Sequence, residues 1–214
     1  MTQRNINCAV RIAAMTKDVE VIEKTVCYQG FFRLEKYRLR HRLFSGDWSP
    51  LLTREMFERG HAAAVLPYDP VRDEIVLIEQ FRPGAIDAPG GPWLMEIVAG
   101  MIETGETAEA VVKRESIEES GCIITDLIPL YDFLVSPGGT TERIALFCGR
   151  TDATTADGVH GVTEEGEDIK VHVVTFDTAM ALLKSGKITA ASAIIALQWL
   201  ALNRDDVRTR WLTD

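Results

Sequence analysis

A chain of 214 residues supports one substantial hydrophobic core plus an accessory element, and is short for two large domains. Its 46% hydrophobic content and a mean hydropathy near zero fit an ordinary soluble globular protein. With 23 basic against 32 acidic side chains, a net charge of −9, and no recurring Lys/Arg cluster, a nucleic acid polymer is excluded as the expected partner.

Near the N-terminus, the short apolar run Cys8 to Met15 is interrupted by Arg11 and is too brief for a signal h-region. No later segment reaches the length of a membrane span, so a cytoplasmic protein is expected. Cys8, Cys27, Cys122 and Cys148 lack metal-like spacing and suit a reducing cytosol. Residues from about Val21 to Phe57 alternate polar and apolar positions and turn at Ser45-Gly46-Asp47, which predicts an antiparallel meander. His61 to Tyr68 and Glu74 to Phe81 flank a turn at Asp69 to Asp73 and predict a second hairpin, the start of a main sheet. A Gly/Pro-rich loop follows from Pro83 to Pro92, and Trp93 to Ala99 resumes an extended pattern.

A helix is predicted from about Thr107 to Ser120, with Gly121 as its C-cap. Further strands are expected at Ile124 to Val135, Arg143 to Gly149 and Lys170 to Phe176. Asp177 is the expected N-cap of a helix ending near Ser185-Gly186, and Ala190 to Asn203 predicts a final, mostly apolar helix. Strand runs with one inserted and two terminal helices give an α+β or mixed α/β/α domain, whose topology the pattern alone leaves open. The expected division is an N-terminal β element over residues 1–57 and a main domain over 58–214.

The predicted helix at Thr107 carries the most informative pattern. At roughly 100° per residue, Ala108, Val111 and Val112 share one arc that Glu115, Glu118 and Glu119 continue, so the core-facing stripe turns from apolar to anionic. Like charges at these spacings repel, and a partly buried carboxylate is costly unless a cation neutralises it. Hard oxygen ligands select Mg²⁺ or Mn²⁺. The competing reading is a solvated acidic face with an Arg114–Glu118 pair.

The full spacing Gly100-x5-Glu106-x7-Arg114-Glu115-x2-Glu118-Glu119-x-Gly121 resembles the Nudix box of the Nudix hydrolases. Ser116 departs from the pattern, standing where the family usually has a small or aliphatic apolar residue; its hydroxyl can return to the carbonyl four residues earlier. The segments from Phe57 to Ala63, Ile78 to Pro83, Ser136 to Arg143 and Glu164 to Asp168 are similar to those of the bacterial ADP-ribose diphosphatase subfamily, over roughly residues 25 to 204.

That resemblance implies a Nudix fold, an α+β (mixed α/β/α) sandwich with an N-terminal antiparallel sheet, and Mg²⁺-dependent hydrolysis of ADP-ribose to AMP and ribose 5-phosphate. It also implies a homodimer whose N-terminal strands help build the partner's site. Glu115, Glu118, Glu119 and the Ala99 carbonyl become candidate metal ligands, with more than one ion per site. In the loop, Glu165 is the expected general base and Glu167 a metal-assisting or positioning residue, although by composition both read as a solvated acidic loop and their order can be exchanged. Arg82 is a candidate clamp on phosphate oxygens, and Arg54 and Glu96 match substrate-contacting positions. Phe31, of the Phe31-Phe32 pair, is a candidate for stacking on adenine against the competing role of core or dimer contact.

Gly138 and Gly139 predict a tight loop that allows close approach of backbone to ligand, and Gly100, Gly105 and Gly121 are expected to serve turns. His61, His160 and His172 read as structural or surface residues. Two rival functions remain open: a pyrophosphatase for another nucleoside diphosphate sugar such as ADP-glucose or GDP-mannose, and a Nudix module that senses ADP-ribose without cleaving it.

Overall fold

The structure, a computed structural model, describes residues 9–10, 15–162 and 166–213. Thirteen strands and three α-helices occur among these residues. In chain order the first strands are β1 (Ala9–Val10), β2 (Met15–Thr16), β3 (Val19–Gln29), β4 (Arg33–His41) and β5 (Leu52–Glu58). They are followed by β6 (Ala62–Asp69), β7 (Glu74–Phe81), β8 (Trp93–Glu96) and β9 (Val98–Met101). Helix α1 (Ala108–Ser120) precedes β10 (Asp126–Leu134), β11 (Arg143–Arg150), β12 (Val159–His160) and β13 (Ile169–Thr175), and the chain ends with α2 (Phe176–Lys184) and α3 (Ala191–Leu212).

Two compact units result, one from the described residues of Met1–His61 with Leu134–Arg143, the other from Ala62–Phe133 with Ile144–Asp214. The first contains the expected meander: β3, β4 and β5 pair antiparallel in sequence order, and β1 and β2 add to β3. Glu35 is buried in this sheet and paired with Lys24 at 2.7 Å and Arg33 at 3.3 Å, which supplies the cations a buried carboxylate requires.

The second unit is built on a mixed sheet of order β10-β11-β6-β7-β13-β12, with β8 added to β7 and β9 to β6. Strand β6 runs parallel to β11 and is buried from Ala63 to Asp69, the continuous pattern of a strand covered on both faces. Alternate residues separate two cores: Ala64, Leu66, Tyr68, Ile75 and Leu77 pack with residues of α2 and α3, whereas Ala63, Val65 and Ile78 pack with Val111 and Val112 of α1. The α+β sandwich is therefore present, with α1 on one face of the sheet and α2 and α3 on the other.

Three local expectations are corrected. The extended stretch from Trp93 is two short strands, β8 and β9, which leave for different neighbours, β7 and β6, after Glu96. The N-cap of α2 is Thr175 instead of Asp177; its hydroxyl accepts from Thr178 N at 3.2 Å, and Asp177 lies in the first turn. Helix α3 continues to Leu212, nine residues past the expected end at Asn203, because Val207 and Trp211 extend its buried stripe. Two arginines of this extension share one partner: Arg204 Nε donates to Asp73 Oδ1 at 2.8 Å and Arg208 Nη1 lies 3.2 Å from the same oxygen, while the Tyr68 hydroxyl of β6 donates to it at 2.6 Å.

Candidate active site

Helix α1 starts and ends where its sequence dictates. Thr107 accepts from Ala110 N at 3.2 Å as N-cap, and Gly121 adopts φ 69°, a left-handed cap that turns its N–H back to the Ile117 and Ser116 carbonyls. On the buried side Ser116 Oγ donates to Val112 O at 2.6 Å, the back-bond expected of a serine in an apolar position. Glu119 is 4% exposed, Glu115 is half-buried, and Glu118 lies outside the buried stripe with its side chain 40% exposed. The single anionic arc is thus corrected: the three carboxylates descend from solvent into the core, because Ser116 and Ser120 occupy the centre of the buried face.

Strand β9 packs against this helix at Ala99 and Gly100. Ala99 N donates to Glu119 Oε2 at 3.0 Å, joining the strand residue expected to supply a carbonyl ligand to the deepest carboxylate. A Cβ on Gly100 would overlap the Glu115 carboxylate, so Gly100 permits close approach instead of serving a turn. Gly105, with φ 92°, is a turn glycine as expected.

Arg114 gathers the acids. Its Nη1 lies 2.9 Å from both Glu115 Oε1 and Glu118 Oε2, and its Nε lies 3.5 Å from Glu106 Oε1. Against partial burial, Glu115 and Glu118 hold this guanidinium protonated. The helical spacing shows only the Arg114–Glu118 pair; the link to Glu106 depends on the turn before the helix, where Glu106 Oε2 accepts from Glu103 N at 3.1 Å.

Glu119 carries the largest carboxylate perturbation of the site. Burial pushes it up to about 8, with Glu115 and Glu167 adding repulsion that the Ala99 N–H and Arg82 oppose. Burial also raises Glu115 above the usual carboxylate range, against the pull of Arg114. Glu167 is therefore brought into electrical contact with the box although it lies far away in sequence. Its Oε2 accepts from Val162 N at 3.0 Å, and its own N–H donates to Val162 O at 3.3 Å. Glu165 lies outside the described residues.

Arg82 leaves the end of β7 and its Nε donates to Glu96 Oε2 at 2.9 Å, which fixes the guanidinium plane while its side chain stays 44% exposed. Among the described residues no three His, Cys, Asp or Glu side chains form a ready metal cluster; Glu115 and Glu118 are turned to Arg114, and Glu119 to Ala99 N–H. The donor chemistry nevertheless fits a hard divalent ion: carboxylate oxygens, one deeply buried, repel one another and lack sufficient counter-charge.

The other compact unit carries Arg54, Phe31 and Gly139. Arg54 is exposed on β5, with Nη1 on Thr53 O at 2.8 Å. Phe31 is 86% exposed at the β3–β4 turn and meets Phe32 edge-on at 4.7 Å between ring centroids, so it is no core residue of this unit. Gly139 lies in a tight turn, its N–H donating to Ser136 O at 3.0 Å and its carbonyl accepting from Phe57 N at 2.7 Å.

The histidines have local partners. His61 Nδ1 accepts from Arg143 N at 3.3 Å, His160 Nε2 lies 2.6 Å from Asp157 O, and His172 Nε2 lies 2.9 Å from Glu79 Oε2. Cys27, Cys122 and Cys148 are free thiols, the last two buried with burial pushing both up; Cys8 lies outside the described residues.

A family model described as the NUDIX domain matches residues 58–197, well over half of the chain. The chain belongs to the NUDIX family. Within it, the chain is 54% identical over 194 residues to the ADP-ribose pyrophosphatase of Escherichia coli (strain K12), covering 91% of this chain and 93% of that protein. It is 36% identical over 192 residues to the GDP-mannose pyrophosphatase of Enterobacter sp. (strain 638), covering 88% and 98%. A solved structure titled "Crystal structure of ADP compounds hydrolase" matches with a TM-score of 0.65 at 18% identity, covering 87% of this chain and 96% of that one, a likeness of fold. The NUDIX match spans every carboxylate gathered by Arg114, together with Arg82, Glu96 and Glu167.

Proposed function

We propose that the protein is a NUDIX pyrophosphohydrolase that cleaves ADP-ribose to AMP and ribose 5-phosphate with Mg²⁺ or Mn²⁺, in the cytoplasm. The observation that carries this reading is Glu119, a buried carboxylate pushed up to about 8 beside Glu115 and Glu167 and hydrogen-bonded to Ala99. Such a cluster suits the binding of hard cations and a polyanionic substrate, and the 54% identity to an ADP-ribose pyrophosphatase favours this substrate.

In the proposed site Glu115, Glu118, Glu119, Glu167 and the Ala99 carbonyl hold more than one ion. The bound cation supplies neutralisation of the diphosphate oxygens, which otherwise repel an attacking oxygen. Arg82, oriented by Glu96, binds phosphate oxygen, and Glu165 takes the proton from the attacking water as general base. Glu167, whose carboxylate accepts from Val162 N, assists the metal or positions the loop. Residues 1–57 form an element for dimerisation and for the adenosine side, where Phe31 and Arg54 contact substrate; Gly139, from the Leu134–Arg143 segment of the same unit, is a further substrate contact. A homodimer accounts for the exposed Tyr28 and Phe44, which a second copy would cover.

The test is product release from ADP-ribose, ADP-glucose, GDP-mannose and diadenosine diphosphate with Mg²⁺, in wild type and Glu119→Gln. Metal-dependent AMP from ADP-ribose, abolished by the substitution, is the expected result. Preference for another nucleoside diphosphate sugar would favour the second reading, which the GDP-mannose pyrophosphatase likeness motivates. Tight ADP-ribose binding without turnover would instead indicate a sensing module. Glu165→Gln and Glu167→Gln separate the loop roles: a loss of kcat by about 10²–10⁴ at Glu165 alone identifies the base, whereas equal mild losses defeat that assignment.

A further inference from the structure

A cleft of about 560 Å³ lies in the NUDIX unit, lined by residues including Asp69, Arg72, Thr125, Arg150, Asp152 and Thr154. It is remote from the carboxylates. Ala63 of β6 pairs with Gly100, and Asp69 is six residues further along the same strand, roughly 20 Å away at strand rise. The last parallel pair of β6 and β11 includes Tyr68 and Arg150, so the cleft sits at the carboxyl ends of parallel strands, where open sheets commonly receive ligands.

The charges in the cleft are unequally committed. Asp69 is 3% exposed, and its two oxygens accept from three backbone groups: Val71 N at 2.9 Å, Arg72 N at 3.0 Å and Ala153 N at 3.1 Å. Asp152 Oδ1 accepts from Thr154 N at 2.9 Å and Thr154 Oγ1 at 2.6 Å, which stabilises the turn after β11. The guanidinium groups are less engaged: Arg72 Nε stands 3.9 Å from Asp69 Oδ2 and acts at longer range on Asp152, and Arg150, which acts at longer range on Asp126, has no carboxylate within 4.0 Å among the described residues. The carboxylates thus serve to shape the loops, leaving two planar multi-donor cations beside an open volume.

We propose that this cleft binds an organic phosphate monoester, with Arg72 and Arg150 contacting the phosphate. Guanidinium forks match phosphate oxygens, and the volume lies within the range of small-molecule sites, leaving room for a sugar or nucleoside beyond the phosphate. This inference is independent of the proposed hydrolysis.

The test is titration of the full, ¹⁵N-labelled, metal-free protein with AMP, ribose 5-phosphate and inorganic phosphate. The readout is the amide signals of Val71, Arg72, Ala153 and Thr154, which report this cleft whether or not the protein is catalytically active. Saturable shifts with at least one ester are expected, weakened about tenfold in Arg72→Gln or Arg150→Gln and less in Arg150→Lys. Inorganic phosphate should bind more weakly than that ester. The native spectrum elsewhere establishes that the variants remain folded. No saturable shift with either ester, or an unchanged response in both Gln variants, overturns the proposal; inorganic phosphate binding as tightly as the esters overturns the monoester specificity and leaves an adventitious ion only.

Discussion

Replacing Glu119 by Gln should stabilise the metal-free protein near pH 8 and change it little near pH 4.5. The folded carboxyl is pushed up to about 8 from its ordinary 4.5, first by burial and then by Glu115 and Glu167. Between those values the folded state binds more protons than the unfolded state. Stability therefore falls as pH rises through this window and is level, as far as this group is concerned, on either side. The difference of 8 − 4.5 corresponds to an upper bound of about 5 kcal/mol. Relaxation and water penetration reduce the expected loss to ~2–3 kcal/mol. Gln retains an oxygen for the Ala99 N–H and removes the charge. Urea unfolding in EDTA, compared between wild type and variant from about pH 5 to pH 8, isolates this contribution because other titrations largely cancel. Mg²⁺ should flatten the difference by favouring the ionised carboxylate. A difference independent of pH, or a slope unaffected by Mg²⁺, would mean that Glu119 carries no burial penalty that a cation relieves.

Two further substitutions test other links between fold and site. Gly100→Ala leaves the backbone unstrained, because Gly100 is outside the left-handed region, but its Cβ displaces the Glu115 carboxylate; we expect a loss of about a hundredfold in kcat with native circular dichroism. Retained full activity would show that Glu115 need not occupy this position. Trp211→Ala removes a side chain that is 1% exposed and donates to Asp126 Oδ2 at 2.8 Å, and should cost about 3–5 kcal/mol in urea unfolding. Leu202→Ala, at an 86% exposed position of the same helix, should remain within about 0.5 kcal/mol of wild type.

These cases also show which parts of the fold are legible in local sequence. Helix α1 is, because Thr107 and Gly121 mark its ends chemically and Val111 and Val112 mark its buried face. The end of α3 is less visible: after Asn203 the residues are mostly charged, and the stripe continues only through Val207 and Trp211. Arg204 finds its partner at Asp73, 131 positions earlier, a contact no local window contains. The Gly100 requirement is hidden for the same reason, since a glycine in a loop-like motif reads as a turn until the Glu115 carboxylate is placed against it.

For the site, the sequence displays the ligand type and spacing but leaves the charge balance undetermined. Glu115, Glu118 and Glu119 are adjacent enough to predict mutual repulsion, yet the fold assigns them different fates. Arg114 holds the two shallower carboxylates, while the deepest has a backbone N–H and the more distant Arg82 to oppose its burial. Glu119 is consequently the member whose ionisation depends most on an added cation. A divalent ion must draw the shallower pair away from Arg114 to use them as ligands, so Arg114→Ala should release Glu115 and Glu118 for metal while loosening their placement. The two effects separate experimentally: tighter Mg²⁺ binding with lower kcat fits an arginine that both competes with metal and positions the acids, whereas weaker Mg²⁺ binding would mean that its ordering of the carboxylates outweighs the competition.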